Sequence, residues 1–372
     1  MANARIKVAT RTTRAVGLAA GAFVLFLAGL PFLAGRGLIQ DLTFVFYMLA
    51  LAQLWNLLAG YAGLVSVGQQ AFVGLGGYLL FALTIIAALD PLPAIVLAGL
   101  ITAGCAVPTT LLVFRLRGAY FAIGTWVMAE VYRLVFAQFK QLGGGTGTSL
   151  PLSVTNEFAA LEFAKAAFGL RTAILRDWVI YWIALLLVVG TILAVYCLLR
   201  SRHGLGLAAI RDSENAARGL GVNNFSIKLT IYTVTAGLTG MIGALIYFQK
   251  ARISPDAAFA VIDWTAYVIF IVVIGGIGTI EGPILGVIIF FVMQSYLAAF
   301  GSWYLILLGM LGIVVMLFSP RGIWGYFADR YDLVLFPVQR RLSESDAQLA
   351  DAKNVDAKNI TGVALNQGTH SS

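Results

Sequence analysis

Residues 200–228, RSRHGLGLAAIRDSENAARGLGVNNFSIK, interrupt a chain otherwise built of long apolar blocks. Arg200, Arg202, His203, Arg211, Asp212, Glu214, Arg218 and Lys228 all fall within this one stretch. Its middle nevertheless reads as helical. The run from Leu207 to Leu220 has no proline and is rich in Ala and Leu. Leu207, Ile210, Ala217 and Leu220 recur at spacings of three or seven, which makes one apolar stripe. Arg211 with Glu214, and Glu214 with Arg218, are spaced i,i+3 and i,i+4 and brace the polar face. Gly204 and Gly206 punctuate the start, Gly219 and Gly221 the end. A short polar helix between two hydrophobic spans offers a grip to a partner protein. The alternative is a charged loop that only solvates two helix ends.

Outward from this stretch the composition is that of a polytopic membrane protein. Of 372 residues, 60% are hydrophobic and 11% charged, against about 25% charged in a soluble domain. Such a chain cannot bury all its apolar blocks and still present a polar surface. The net charge of +8 does not point to nucleic acid. The basic residues cluster at the ends of apolar blocks instead of along one face of a domain. Cys105 and Cys197 lie within apolar spans, without ligand-like spacing or a disulfide framework.

Residues 1–14 form a basic arm expected in the cytoplasm, followed by an uncharged block at 15–34. That block is long for the core of a signal peptide, so it is expected to remain as the first span, with cleavage the alternative. Further apolar blocks lie at about 38–59, 66–88, 92–114, 119–138, 178–199, 229–249, 263–280, 283–300 and 303–319. A crossing takes about 20 residues. The expectation is an all-α membrane domain over 15–325 with about ten transmembrane helices, some tilted or broken. Counting Lys and Arg in short loops places both termini and 200–228 inside. The long connection at 139–177 then lies outside, where it either meets an extracytoplasmic partner or acts as a lid. Residues 326–372 form a cytoplasmic tail, expected to be disordered from about 343 because it is polar and aperiodic.

Catalytic and metal signatures are missing from the sequence. His203 and His370 are its histidines, and there is no HExxH or Cys/His ladder. The Gly-rich run at 143–147 lacks the phosphate-binding pattern GxxxxGK[ST]. No cofactor is expected on this chain, so uphill transport must draw on an ion gradient or on an ATPase in another chain. Glu130 and Arg133, three apart within a span, are either a structural ion pair or a functional site. Two Gly-rich breaks stand out. The part Gly63–Gly77 reads as a broken or re-entrant element, with Gly74, Gly76 and Gly77 permitting close helix packing. The run GGIGTIEGPILG, with Gly275, Gly276, Gly278, Gly282 and Pro283, has the same character. There Pro283 and Glu281 suit a helix start, Glu281 serving as a cap or, alternatively, a substrate ligand. One break in each half suggests hinges and a weak internal duplication.

Three motifs in order, LVSVGQQAFVGLGGY at 64–78, SRHGLGLAAIRDSENAARGLGVN at 201–223 and GGIGTIEGPILG at 275–286, carry a resemblance. The chain resembles the membrane permease subunit of bacterial ABC importers for branched-chain amino acids, a family shared with permeases for urea, short amides and other amino acids. LRGAYFAIGTWVMAEV at 116–131 adds to it, and coverage runs from about 40 to 325. One departure is Gln69, where many relatives carry a His. The resemblance implies a second permease subunit, identical or different, and two cytoplasmic ATPases that use ATP and Mg. It also implies a periplasmic solute-binding protein and a place in the inner membrane, among lipid. It makes 207–220 a coupling helix, with Arg211, Asp212, Glu214 and Arg218 towards the ATPase and Leu207, Ile210 and Leu220 towards the permease body. A zwitterion with an apolar tail would find polar atoms at Ser66, Gln69, Gln70, Thr125 and Tyr267 and apolar wall at Phe72 and Trp126. An ion-coupled carrier or channel using Glu130 is the competing mechanism. A purely structural role leaves the polar helix and the breaks unexplained.

Overall fold

The computed structural model describes residues 11–331 apart from 213, 220, 298, 299, 302 and 320. Residues 24–333 group as one body, and residues 1–23 with 334–372 as a separate unit whose described part, 11–23, is helical. Helices dominate the described residues. They run α1 Arg11–Gly29, α2 Arg36–Asn56, α3 Gln69–Ile85, α4 Pro91–Val113, α5 Ala119–Ala137, α6 Leu152–Asn156, α7 Ala159–Phe168 and α8 Thr172–Arg200. They continue with α9 Arg202–Asp212, α10 Glu214–Gly219, α11 Asn224–Lys250, α12 Pro255–Ala258, α13 Tyr267–Gly275, α14 Glu281–Leu297, α15 Trp303–Phe318 and α16 Gly322–Tyr331.

Six helical stretches are long and apolar enough to cross a membrane: 36–61, 91–113, 172–200, 224–250, 255–275 and 306–328. Shorter apolar helices cover 17–32, 69–85 and 281–297. The remaining apolar block of the sequence, at 119–138, is α5, which carries Glu130 and Arg133. A multi-pass membrane protein follows from this set.

The centre of the body is a crossing of α3, α4 and α11 that depends on small residues. A Cβ on Gly76 would strike the carbonyl of Gly240, and one on Gly243 would strike the carbonyl of Val73. Gly240 in turn sits against Thr102 of α4. Without side chains in between, backbones approach closely enough for dispersion to hold them, which matters where lipid offers no hydrophobic drive. Gly74 and Gly77 likewise face the rings of Phe259 and Tyr247. These glycines therefore pack inside a continuous α3, and the break expected over 63–77 is confined to 57–68. The reason is local: residues 69–85 are apolar and free of proline, whereas Gly63 sits at φ 67°, a left-handed conformation that ends a helix.

On the side expected to face outward, Asp177 is 5% exposed. It accepts from Arg36 Nε at 2.5 Å and Gln40 Nε2 at 3.0 Å, tying the starts of α2 and α8. The 139–177 connection is fastened to the body. Asp90 accepts from the backbone N–H groups of Leu92 (3.1 Å) and Ala159 (2.9 Å), joining α4 to α7. Phe158 is buried edge-on against Phe248, ring centroids 5.3 Å apart. Strands β1 Thr148–Ser149 and β2 Arg252–Ile253 pair antiparallel, Thr148 opposite Ile253. Gly147, at φ 79°, lies so close to the Ile253 carbonyl that a Cβ would not fit.

Candidate functional site: two clasped chain breaks and the polar segment beside them

Helix α2 ends in a π turn, Leu57–Tyr61, and residues 62–68 leave helical geometry before α3 begins. Backbone groups freed at such a break need partners when buried. Trp55 Nε1 donates to the Ser66 carbonyl at 2.8 Å, and Gly68 N donates to Ser66 Oγ at 3.2 Å. Val67 N donates to Thr125 Oγ1 of α5 at 3.0 Å. Gln69 Nε2 donates to the Leu51 carbonyl at 2.9 Å. Gln70 N donates to Thr265 Oγ1 at 3.2 Å, and that hydroxyl donates back to Gln70 Oε1. Ser66, Gln69, Gln70 and Thr125 are thus brought together, all at most 5% exposed. Much of their polar capacity holds the break in place. Gln69 Oε1 and Gln70 Nε2 remain buried and unsatisfied, the kind of atom that takes a water or a solute group.

The other candidates for the substrate path separate. Phe72 is buried edge-on against Tyr232, centroids 5.5 Å apart. Tyr267 packs on Phe290 of α14 at 5.1 Å. Trp126 is 50% exposed on the surface of α5 and does not line the break. The helical period accounts for this: Trp126 follows Thr125 by one residue, about 100° around the helix, so the two cannot face the same way.

The second Gly-rich run forms the turn between α13 and α14. Gly276 and Gly278 take φ 139° and 78°. A Cβ on Gly275 would meet the Gly282 carbonyl, and one on Gly282 the Gly276 carbonyl. The cap is supplied by Thr279, whose hydroxyl accepts from Gly282 N and donates to the Gly276 carbonyl, both at 3.0 Å. Glu281 stands in the first turn of α14 and Pro283 just behind it, so the acid complements the dipole while the threonine makes the capping bonds.

The two breaks meet. Asn56 Oδ1 accepts from Gly278 N and its Nδ2 donates to the Thr279 carbonyl, both at 2.7 Å. Gln53 Nε2 adds a bond to the Ile280 carbonyl at 2.6 Å. Gly60 lies against Gly278 with no room for a Cβ. Two buried amides of α2 thereby clasp the turn. The sequence carries a signal for this clasp in two amide side chains three apart, Gln53 and Asn56, within the apolar second half of α2.

The polar segment adjoins this clasp. Helix α9 begins at Arg202, so Gly204 and Gly206 lie inside it, where sequence had them before it. Glycine is needed there because a Cβ on Gly204 would strike the Leu199 carbonyl, and one on Gly206 the Ile227 side chain. Leu207, Ile210 and Ala217 are buried, and Arg211 and Arg218 are exposed. The side chains of Asp212 and Glu214, and Leu220 altogether, lie outside the described residues. Helix α9 packs on α8, α11 and the π turn, and the Tyr61 hydroxyl at the end of that turn is within electrostatic reach of both Arg211 and Glu281.

Nearer the expected outer face, Arg133 is bidentate on Glu130 (Nη2–Oε1 2.6 Å, Nε–Oε2 3.0 Å) and also reaches Asp256 of α12 at 2.7 Å. Asp256 was not foreseen as a partner, because it lies 123 residues away. Lys250 Nζ sits 4.7 Å above the Trp264 ring and 5.5 Å from that of Tyr247. Among the described residues no group of three His, Cys, Asp or Glu gathers as a metal site.

This arrangement defines a helical membrane protein with paired chain breaks beside a polar helical segment. The family described as branched-chain amino acid transport system / permease component matches residues 37–316, and the chain belongs to that family. It is 30% identical over 305 residues to the high-affinity branched-chain amino acid transport system permease protein LivM of Escherichia coli, covering 79% of this chain and 71% of the relative. The LivM protein of Salmonella typhimurium is 29% identical over the same shares. The permease protein BraD of Pseudomonas aeruginosa is 31% identical over 156 residues, 40% of this chain and 49% of that protein. No solved structure matches the chain.

Proposed function

We propose that this chain is one of two membrane-spanning subunits of an ATP-driven importer in the bacterial cytoplasmic membrane. It passes leucine, isoleucine and valine inward from a periplasmic binding protein. The chain itself is non-catalytic; ATP and Mg are used by two cytoplasmic ATPase subunits. About ten spans with both termini inside accommodate the apolar helices and the charge bias of the short loops.

One observation carries the coupling role. Helices α9 and α10 bury Leu207, Ile210 and Ala217 while Arg211 and Arg218 stay exposed, and α9 rests on the π turn that leads into the clasp. A push on the exposed face reaches Gly278–Ile280 through one packed connection. The solute region is the break itself, where Ser66, Gln69, Gln70 and Thr125 converge. Specificity resides mainly in the binding protein, so affinity of this subunit alone is low.

Ion coupling has less support. Glu130, its best carboxylate, is already held by Arg133, and Arg133 also holds Asp256. The relatives' names favour branched-chain amino acids over urea or short amides. The test is uptake of labelled leucine by proteoliposomes holding the chain with its co-expressed partners. Uptake requires ATP and the binding protein, and excess isoleucine competes where urea does not. Leucine uptake that proceeds without any ATPase would contradict the reading.

A further inference from the structure

A cavity of about 520 Å³ opens where α4 ends, α5 begins and α11 begins. Arg117, Arg218 and Lys228 line it, and among the described residues its lining holds no acidic side chain. Its apolar wall is aromatic. Phe114 contacts Phe121 and Phe225 with ring centroids 6.2 and 6.0 Å apart. Residues 63–65 of the first chain break close another side. The volume falls in the range of small-molecule sites, roughly 300–1,000 Å³.

We propose that this cavity holds the headgroup of an anionic phospholipid. Three features favour a lipid over a soluble anion. The cations stand near helix ends, Arg117 just before α5, Arg218 in the last turn of α10 and Lys228 in the second turn of α11, positions from which long basic side chains reach a membrane interface. Phe225 is 49% exposed beside them, which suits a glycerol backbone better than a hydrated ion. Apolar surface continues from the cavity along α5, where Ile123, one turn beyond the lining residue Ala119, is 54% exposed. Basic pockets between spans with apolar flanks are suited to phosphate headgroups whose acyl chains stay in the bilayer. The site joins the polar segment, through Arg218, to the break at 63–65. A bound lipid thus braces the surface that the ATPase is proposed to grip. The cytoplasmic leaflet follows from the orientation proposed above; lipid retention does not depend on it.

The experiment is native mass spectrometry of the full-length chain released from nanodiscs of equal phosphatidylglycerol and phosphatidylcholine. Wild type is expected to retain phosphatidylglycerol preferentially. Arg117→Gln with Lys228→Gln should weaken that preference about thirtyfold, near fivefold per cation. The charge-conserving pair Arg117→Lys with Lys228→Arg should keep it and shows that loss is not misfolding. No preference in the wild type, an unchanged preference in the neutral pair, or full displacement by equimolar inorganic phosphate would overturn the proposal. Lipid retention is read without ATPase, binding protein or leucine, so the lipid site and the transport reading fail separately.

Discussion

Among single residues, Asn56 carries the most consequence. One side chain satisfies a buried N–H and a buried carbonyl in the α13–α14 turn. Asn56→Leu leaves both unpaired, at about 1–3 kcal/mol each, and should lower the thermal midpoint of the purified protein by several degrees. A midpoint equal to wild type would mean the clasp adds nothing. Two ion pairs test the same logic with opposite expectations. Asp177 is 5% exposed and holds both Arg36 and Gln40, so Asp177→Ala should cost about 1.5–3 kcal/mol through lost charge-assisted bonds. Asp256 is 82% exposed, so a double-mutant cycle with Arg133 should give at most about 1 kcal/mol. Near-equal values in denaturant unfolding would contradict this ranking. Sequence made Glu130 and Arg133 legible because they are three apart on one helix. It could not pair Arg133 with Asp256, or Asn56 with Gly278, since nothing local encodes a contact over more than a hundred residues.

At the level of elements, α3, α4 and α11 cross through glycine. Gly240→Val inserts a branched side chain against Thr102. Overpacking of this kind costs about 1–3 kcal/mol where backbones can yield and more where they cannot. Gly190 of α8 has open space around it, so Gly190→Ala should leave the midpoint unchanged or raise it. Equal losses from both substitutions, followed by fluorescence-monitored unfolding, would remove the close-packing argument. The polar segment is tested by charge. Arg211→Glu with Glu214→Arg should insert normally and reach wild-type amounts in the membrane, yet lose most solute-stimulated ATP hydrolysis; wild-type coupling would remove the proposed contact. The apolar stripe of Leu207, Ile210 and Ala217 was readable because burial imposes the helical period. The true start at Arg202 was not, because Gly204 and Gly206 look like helix ends until the neighbouring Leu199 carbonyl and Ile227 are seen.

For the whole molecule, apolar blocks and their charged ends revealed an all-α membrane body, and three motifs revealed its family. The meeting of the two breaks is a tertiary fact that no local pattern states. Orientation can be checked by introducing single cysteines at Ala208 or Leu170 after replacing Cys105 and Cys197. A membrane-impermeant maleimide added to intact cells should label position 170 and spare position 208. The central claim is that a cytoplasmic motor grips the segment around α9 and α10. Its most direct measurement is co-purification of the cognate ATPase with wild type and with a variant whose residues 207–220 are scrambled, both at equal amounts in the membrane. The ATPase should stay with wild type and be lost from the scrambled chain; equal recovery with both would contradict the account.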